Sequence, residues 1–582
     1  MTYLDRINAP QDLKKFSIHE MNGLADEIRQ AILNRDSMIG GHVGPNLGIV
    51  EATIALHYVF DSPKDKIVYD VSHQSYPHKL LTGRKNGFLT KEGMSVISGY
   101  TNPAESEHDF FKVGHTSTSV SLACGLAKAR DLKSEKHNVI ALIGDGSLSG
   151  GEALEGFSNA AVLNSNIIIV VNDNEMSIAE NHGGLYNNLR LLRETKGTAE
   201  CNMFKALGFD YLYVEDGNSL ESLIATFKQV KDTPRPTVVH IRTLKGKGYK
   251  PAEENKERWH WNVPFEIESG KAKIDMSGEN YNDITYDYLI DKIAKDKTVV
   301  AVNAGTPGAV GLTPERRAKL GQNFVDVGIA EEHAVAFSSA LAKGGCKPVY
   351  MVLSSFIQRA YDQLSQDLAI NNNPAVILVS WAGISSADVT HLGCFDIAMI
   401  SNIPNIVYLA PTSKEEYLSM LDWAVDQNEH PVVIRIPSVV THSASAVEKD
   451  YGALNRYQIA QKGSQVALIA AGSFFGLGQQ VADRLKEKGI NATLINPRYL
   501  SGIDENVLDE LRSNHSLVAT LEDGIVNGGF GEKIASFYGT SAMKVLNFGA
   551  KKEFTDRTPL DEIYQRNHLT VEQIVADITK NI

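Results

Sequence analysis

Short apolar runs recur along the chain, each followed by a longer segment in which apolar residues repeat at helical spacing. This is the pattern of βα units around a parallel sheet, whose strands are covered on both faces and so read as continuous apolar stretches. Three series can be separated. In the first, Ile67–Tyr69, Val139–Ile143, Ile167–Val171 and Thr237–Ile241 are expected strands, with helices over GLAKARDLK and GGEALEGFSNAAVLN. It ends near residue 265, and the polar stretch EIESGKAKIDMSGENYND, which has no apolar period, is expected to be a linker. The second series contains Thr298–Val302, Pro348–Leu353, Ala375–Ser380, Ile406–Ala410 and Val432–Ile436. The third contains Val466–Ala470, Ala492–Ile495 and Leu517–Leu521, with a helix GLGQQVADRLKEKG that stops at Gly489, a residue suited to a helix C-terminus. The predicted fold class is α/β, in three domains that each hold a mostly parallel sheet flanked by helices, bounded at 1–280, 281–445 and 446–582.

The charge balance narrows the partners. With 57 Lys+Arg against 70 Asp+Glu the formal net charge is -13, which argues against nucleic acid or an anionic membrane as the main partner. The four cysteines are far apart with no CxxC pair, so neither a disulfide framework nor a zinc site is expected, and a reducing cytoplasm fits. No stretch approaches the roughly 18 consecutive apolar residues of a membrane helix, and MTYLDRINAP lacks the apolar run of a signal peptide.

The chemistry concentrates in one βαβ unit. VIALI runs straight into Gly144-Asp145-Gly146, and IIIVV into Asn172-Asp173-Asn174-Glu175. Ligands of open parallel sheets sit at the carboxyl ends of strands, so Asp145 and Asn174 are expected to converge there. A carboxylate, an amide oxygen and a nearby backbone carbonyl, assigned to Met176, suit Mg²⁺, and the flanking glycines let backbone approach a diphosphate. Gly-Asp-Gly by itself is an ordinary turn; its spacing to Asn174 sets this one apart.

That spacing resembles the thiamine-diphosphate enzymes. The strings HDFFKVGHTSTSVSLACGLAKA, DVSHQSYPHKLLTG, NDNEMSI, KGKGYKPAE, GIAEEHAVAFSSALA and FIQRAYDQ narrow the resemblance to 1-deoxy-D-xylulose-5-phosphate synthases, over nearly the whole chain. The resemblance implies thiamine diphosphate and Mg²⁺ as cofactors and a transketolase-like fold. Its three domains would bind the diphosphate, bind the pyrimidine and support a homodimer. It also implies pyruvate and an aldehyde as substrates. Glu331, after the strand FVDVGI, would bond the aminopyrimidine N1′ and favour the tautomer that removes the thiazolium C2 proton. Phe356 would stack on the aminopyrimidine, and His73, Gly114, His115, Thr116, Gly146, Ser147, Asn174 and Tyr249 would contact the cofactor. His42, His73, His260 and His391 would move protons, with Asp388 beside them, and Arg359, Asp388 and His391 would meet substrate. His57, His78, His108 and His333 are read as structural. The stretch from Glu180 to Cys201, polar and broken by His182-Gly183-Gly184, is expected to cover the site.

The acceptor half departs from the pattern. Where the resemblance expects a Tyr and two arginines, this chain has Leu353, Trp381 and Ser438. The segment from Asp388 to His391 is one residue short, and DGH is Asp216-Gly217-Asn218. The expected activity is decarboxylation of pyruvate with transfer to D-glyceraldehyde 3-phosphate, giving 1-deoxy-D-xylulose 5-phosphate for isoprenoid and thiamine synthesis. A changed acceptor, a transketolase-type donor and an inactive binding protein are the alternatives.

Overall fold

The protein, seen in a computed structural model, is described over residues 2–275, 277–443 and 446–582, so the expected boundary at residue 445 lies outside the described residues. The chain divides into two compact units, one built from residues up to Ser277 with Gly328–Ala330, the other from Gly278–Val327 and Glu331–Ile582.

The first unit holds a parallel sheet in the order β1-β2-β3-β5-β4, made of β1 (Lys66–Tyr69), β2 (Val139–Gly144), β3 (Ile168–Asp173), β4 (Asp210–Val214) and β5 (Thr237–Arg242). Successive residues of β2 point into two different cores: Ile140 and Leu142 into one, Val139, Ala141 and Ile143 into the other. Because both faces are covered, the strand shows no polar alternation. The unexpected strand, β4, is the edge strand DYLYV, which is mostly half-exposed and so carries no continuous apolar run. The two expected helices are Ser119–Leu132 and Gly151–Ala160. The expected linker is overrun at its end. Its last residues form the first turn of a helix, Tyr281–Lys295, because Asn280 caps that turn by accepting from Asp283 N.

The second unit holds two sheets. One is parallel in the order β10-β11-β9-β8-β6-β7, from β6 (Val299–Asn303), β7 (Phe324–Asp326), β8 (Lys347–Leu353), β9 (Val376–Ser380), β10 (Val407–Leu409) and β11 (Val432–Arg435). The other runs β12-β14-β13-β15-β16, from β12 (Gln458–Gln461), β13 (Gln465–Ala470), β14 (Thr493–Asn496), β15 (His515–Ile525) and β16 (Lys544–Ala550), with only β12 antiparallel. The strands absent from the sequence reading, β12 and β16, are again the two edges. Helix Phe475–Glu487 ends as expected, with Gly489 at φ +83° just past it. No helix among the described residues is long and apolar enough to cross a membrane.

Arg435, at the end of β11 and 3% exposed, ties these two sheets together. Its Nε donates to Asp396 Oδ2 at 2.6 Å, and its guanidinium also bonds Asp523 on β15. Removing one partner of a buried ion pair leaves uncompensated charge in the core. Arg435→Ala is therefore expected to cost about 3–5 kcal/mol of folding stability, read from the midpoint of denaturant unfolding.

Candidate active site

Four neighbouring strands of the first unit deliver polar residues to one edge of the sheet. Past β1 come Asp70 and His73, past β2 Asp145, past β3 Asn174, and past β5 Lys245. Asp145 is 1% exposed; Asn181 Nδ2 donates to its Oδ2 at 2.9 Å, and Tyr186 Oη donates to its backbone oxygen at 3.1 Å. Burial, and then the neighbouring Asp173 carboxylate, push its pKa up. Asp173 is well supplied in its turn, taking bonds from His240, Arg193 and Glu175 N, and its pKa stays low despite burial. Beside Asp145, the buried atoms Asn174 Oδ1, Ser177 Oγ and Asn181 Oδ1 have no hydrogen-bond partner among the described residues. Buried polar atoms are nearly always paired. A hard divalent cation with its phosphate fits this donor set, because it neutralises Asp145 and satisfies the amide oxygen of Asn174. Met176 lies in the same turn, in a bridge with Glu180.

The diphosphate-suited backbone lies alongside. Asp70 accepts from Ser117 N at 2.8 Å and Ser119 N at 3.0 Å, while Ser72 Oγ donates to Val113 O at 2.5 Å, so Gly114-His115-Thr116 is anchored at both ends. Ser117 Oγ donates to Ser147 O at 2.8 Å, joining this loop to Gly146-Ser147. A side chain on Gly146 would collide with Ser177 at 2.8 Å, so the turn admits only glycine as built.

Three of the four proposed histidines come together. The rings of His42 and His73 lie 5.0 Å apart, His42 and His260 5.5 Å, and His73 and His260 5.2 Å. Asn46 Nδ2 clamps the backbone oxygens of His42 and His73, each at 2.7 Å. Gly41 pairs with Asn262, which draws the His260 segment alongside. Gly40 permits that approach, since at φ +81° a side chain there would meet Asn262 O at 2.7 Å. Lys245 Nζ lies 3.2 Å from His260 Nδ1 and donates to Ser177 O at 2.6 Å. Burial pulls Lys245 down to about 7, with Asp145 opposing, and holds His260 well below its ordinary value, with Lys245 adding to the effect. Tyr249 is packed against Trp259 and Phe265, its hydroxyl donating to Ile267 O at 2.8 Å. The stretch after Glu180 folds over the Asp145 turn through Asn181 and Tyr186, with a helix Leu185–Glu194. His57, His78 and Asp109 form a separate buried chain with 2.8 Å links.

In the second unit Glu331 opens helix Glu331–Lys343 and is 3% exposed. Burial raises its pKa, and Arg359, 3.4 Å away, opposes that. Phe356 packs between two hydrophobic cores, with its ring 5.6 Å from His391 in an edge-on contact. Thr390 Oγ1 donates to Asp388 Oδ1 at 2.9 Å and lies 2.8 Å from His391 Nδ1. With the hydroxyl proton given to Asp388, the imidazole proton belongs on Nδ1.

Comparison with known proteins fits this arrangement. A family profile for 1-deoxy-D-xylulose-5-phosphate synthase matches residues 4–202 and 190–243, the transketolase pyrimidine binding domain matches 280–440, and the transketolase C-terminal domain matches 455–574. Enzymes named 1-deoxy-D-xylulose-5-phosphate synthase are similar along the full length. The one from Brevibacillus brevis is 37% identical over 99% of this chain and 98% of its own, and the one from Caldanaerobacter subterraneus is 38% identical over the same shares. The chain belongs to the 1-deoxy-D-xylulose-5-phosphate synthase family. A solved transketolase from Leishmania mexicana covers 97% of both chains at 16% identity and a TM-score of 0.45, too low for anything to rest on.

Against that synthase background, the three departing positions lie at or just past strand ends of the second unit. Leu353 is buried, Trp381 is 63% exposed at φ +54°, and Ser438 is exposed. Sequence reasoning missed Lys245, Asn46, Ser177 and Asn181, although Lys245 opens the KGKGY string and Asn46 sits in GPNLG. Asn218, in the altered DGH position, accepts from Leu244 N at 2.9 Å and so steadies the strand end that carries Lys245.

Burial drives His391 down to about 4. The unfolded chain takes up this proton at higher pH than the fold does. The stability gained is thus complete above the ordinary value of 6.5 and is lost as pH falls from there toward about 4. Histidine-labelled NMR, with the resonance assigned through His391→Gln, should find a neutral ring at about pH 6. A midpoint near the ordinary 6.5 contradicts the burial.

Proposed function

We propose that this chain decarboxylates pyruvate and transfers the two-carbon unit to D-glyceraldehyde 3-phosphate, forming 1-deoxy-D-xylulose 5-phosphate, a precursor for isoprenoid and thiamine synthesis. The observation that carries the reading is similarity to named synthases over 99% of the chain, spanning both units. Nothing in the site favours a transketolase-type donor or an inactive protein.

The reaction depends on thiamine diphosphate, which when bound would supply a thiazolium carbon nucleophile and an electron sink for decarboxylation. Asp145, Asn174 and the backbone of Met176 hold Mg²⁺, and Gly114, His115, Thr116, Gly146 and Ser147 cradle the diphosphate. Lys245, which sits between Asp145 and His260, adds a donor to that anion. Glu331 bonds the aminopyrimidine N1′, a task that suits a carboxyl whose burial favours sharing a proton. Phe356 packs against that ring, and Tyr249 contacts the cofactor. His42, His73 and His260 move protons, with burial keeping the His260 ring neutral. His391, held in one tautomer through Thr390 and Asp388, presents Nε2 as an acceptor to substrate, and Arg359 orients Glu331 as well as substrate. The substrates are small molecules. The enzyme works as a homodimer in the cytoplasm, with domains 1–280, 281–445 and 446–582.

The test mixes the protein with thiamine diphosphate, Mg²⁺ and pyruvate and follows CO2. Saturable release that requires D-glyceraldehyde 3-phosphate is expected, and Glu331→Ala should lower kcat about 10²–10⁴-fold with the fold intact. Unchanged turnover in Glu331→Ala refutes the role of that residue. Release stimulated only by a different aldehyde refutes the acceptor.

A further inference from the structure

Two of the residues proposed to move protons, His42 and His73, lie on different segments, and each segment is locally ill suited to holding a fixed place. His42 precedes a helix of only 6 residues, Val43–Gly48, whose sequence VGPNLG contains a proline and two glycines. His73 follows β1 after a turn in which Val71 at φ +55° and Ser72 at φ +61° both take the left-handed backbone. Side-chain-bearing residues, and above all β-branched ones, seldom adopt it, so such a turn persists only where its surroundings over-determine it.

One side chain joins the two segments. Asn46 is 0% exposed; its Nδ2 donates to His42 O and to His73 O, each at 2.7 Å, and its Oδ1 accepts from Tyr76 N at 2.9 Å. Both N–H donors of the amide and its oxygen are thus spent on the backbone around the two histidines. Asparagine is a poor helix-interior residue because its side chain competes for backbone groups, and at this position that competition is what ties the helix to the turn. Tyr76 closes the ring of bonds, its Oη accepting from His42 N at 3.4 Å. The backbone is pinned in this way while both imidazoles stay half-buried, with their rings 5.0 Å apart.

We infer that Asn46 is the positioning residue that sets the spacing of His42 and His73 for proton transfer. This rests on the reading that the two histidines move protons. The amide bonds backbone alone, so it acts through the two imidazoles rather than on the substrate. An aspartate in its place keeps the shape but has no N–H, and it sets carboxylate oxygens against two carbonyl oxygens.

The test uses the enzyme loaded with thiamine diphosphate and Mg²⁺, with pyruvate and D-glyceraldehyde 3-phosphate as substrates. Asn46→Asp and Asn46→Ala should lower kcat about 10–100-fold, the scale of a misplacement of about 1 Å, and leave KM for pyruvate within about threefold of wild type. The same substitutions made in a His42→Gln, His73→Gln background should change kcat less than about threefold, because a residue that acts through the histidines then has nothing to position. In histidine-labelled NMR the His42 and His73 ring resonances, assigned through the two Gln variants, should move in Asn46→Asp. The resonance of His568, paired with Asp577 in the second unit, should not. Unchanged kcat, equal fold-losses in the two backgrounds, or unmoved His42 and His73 resonances each overturn the assignment alone. So does a failure of both Asn46 variants to fold, which leaves the amide a structural clamp. A His42→Gln, His73→Gln enzyme with wild-type kcat overturns the assignment and the proton-transfer reading together.

Discussion

Asp145 is a carboxylate held out of water at the end of β2, next to a second buried carboxylate, and the rest of the first unit's site follows from that constraint. Asp173 is satisfied by His240 and Arg193 and stays ionised. Asp145 has an amide donor from Asn181 and the distant pull of Lys245, too little to stabilise a buried charge. Buried oxygens of Asn174, Ser177 and Asn181 that have no partner among the described residues suit the proposed cation and its anionic partner. On the proposed reading, the fold keeps polar groups that the cofactor and its cation would satisfy, so that binding energy is available for chemistry rather than for folding.

The second unit solves a different problem. Glu331, the proposed cofactor activator, is buried with Arg359 3.4 Å away, and His391 is kept neutral by burial. Burial thus disfavours the charged form of both groups. The Arg435 pair with Asp396 and Asp523 does the opposite work: a fixed-charge lock between two sheets.

Much of this was legible in the sequence. Central strands such as VIALI and IIIVV announce themselves because both faces are buried, and residues just past them fall at the carboxyl edge by topology alone; Asp145 and Asn174 were found that way. The edge strands β4, β12 and β16 were not, because an edge is half-exposed and its apolar run is broken. Lys245 escaped notice because a lysine in a loop reads as solvated, and only its burial at 2% exposed gives it meaning. Thr390 escaped too, since a hydroxyl between an acid and a base has no pattern until the loop is folded.

The central claim is that the buried Asp145 turn is completed by a metal-bound diphosphate, and calorimetric titration of the cofactor-free protein with thiamine diphosphate tests it most directly. With Mg²⁺ present the account predicts saturable binding that collapses in excess chelator and is lost in Asp145→Asn. Binding of equal strength with and without Mg²⁺, or unaltered in that variant, would contradict it.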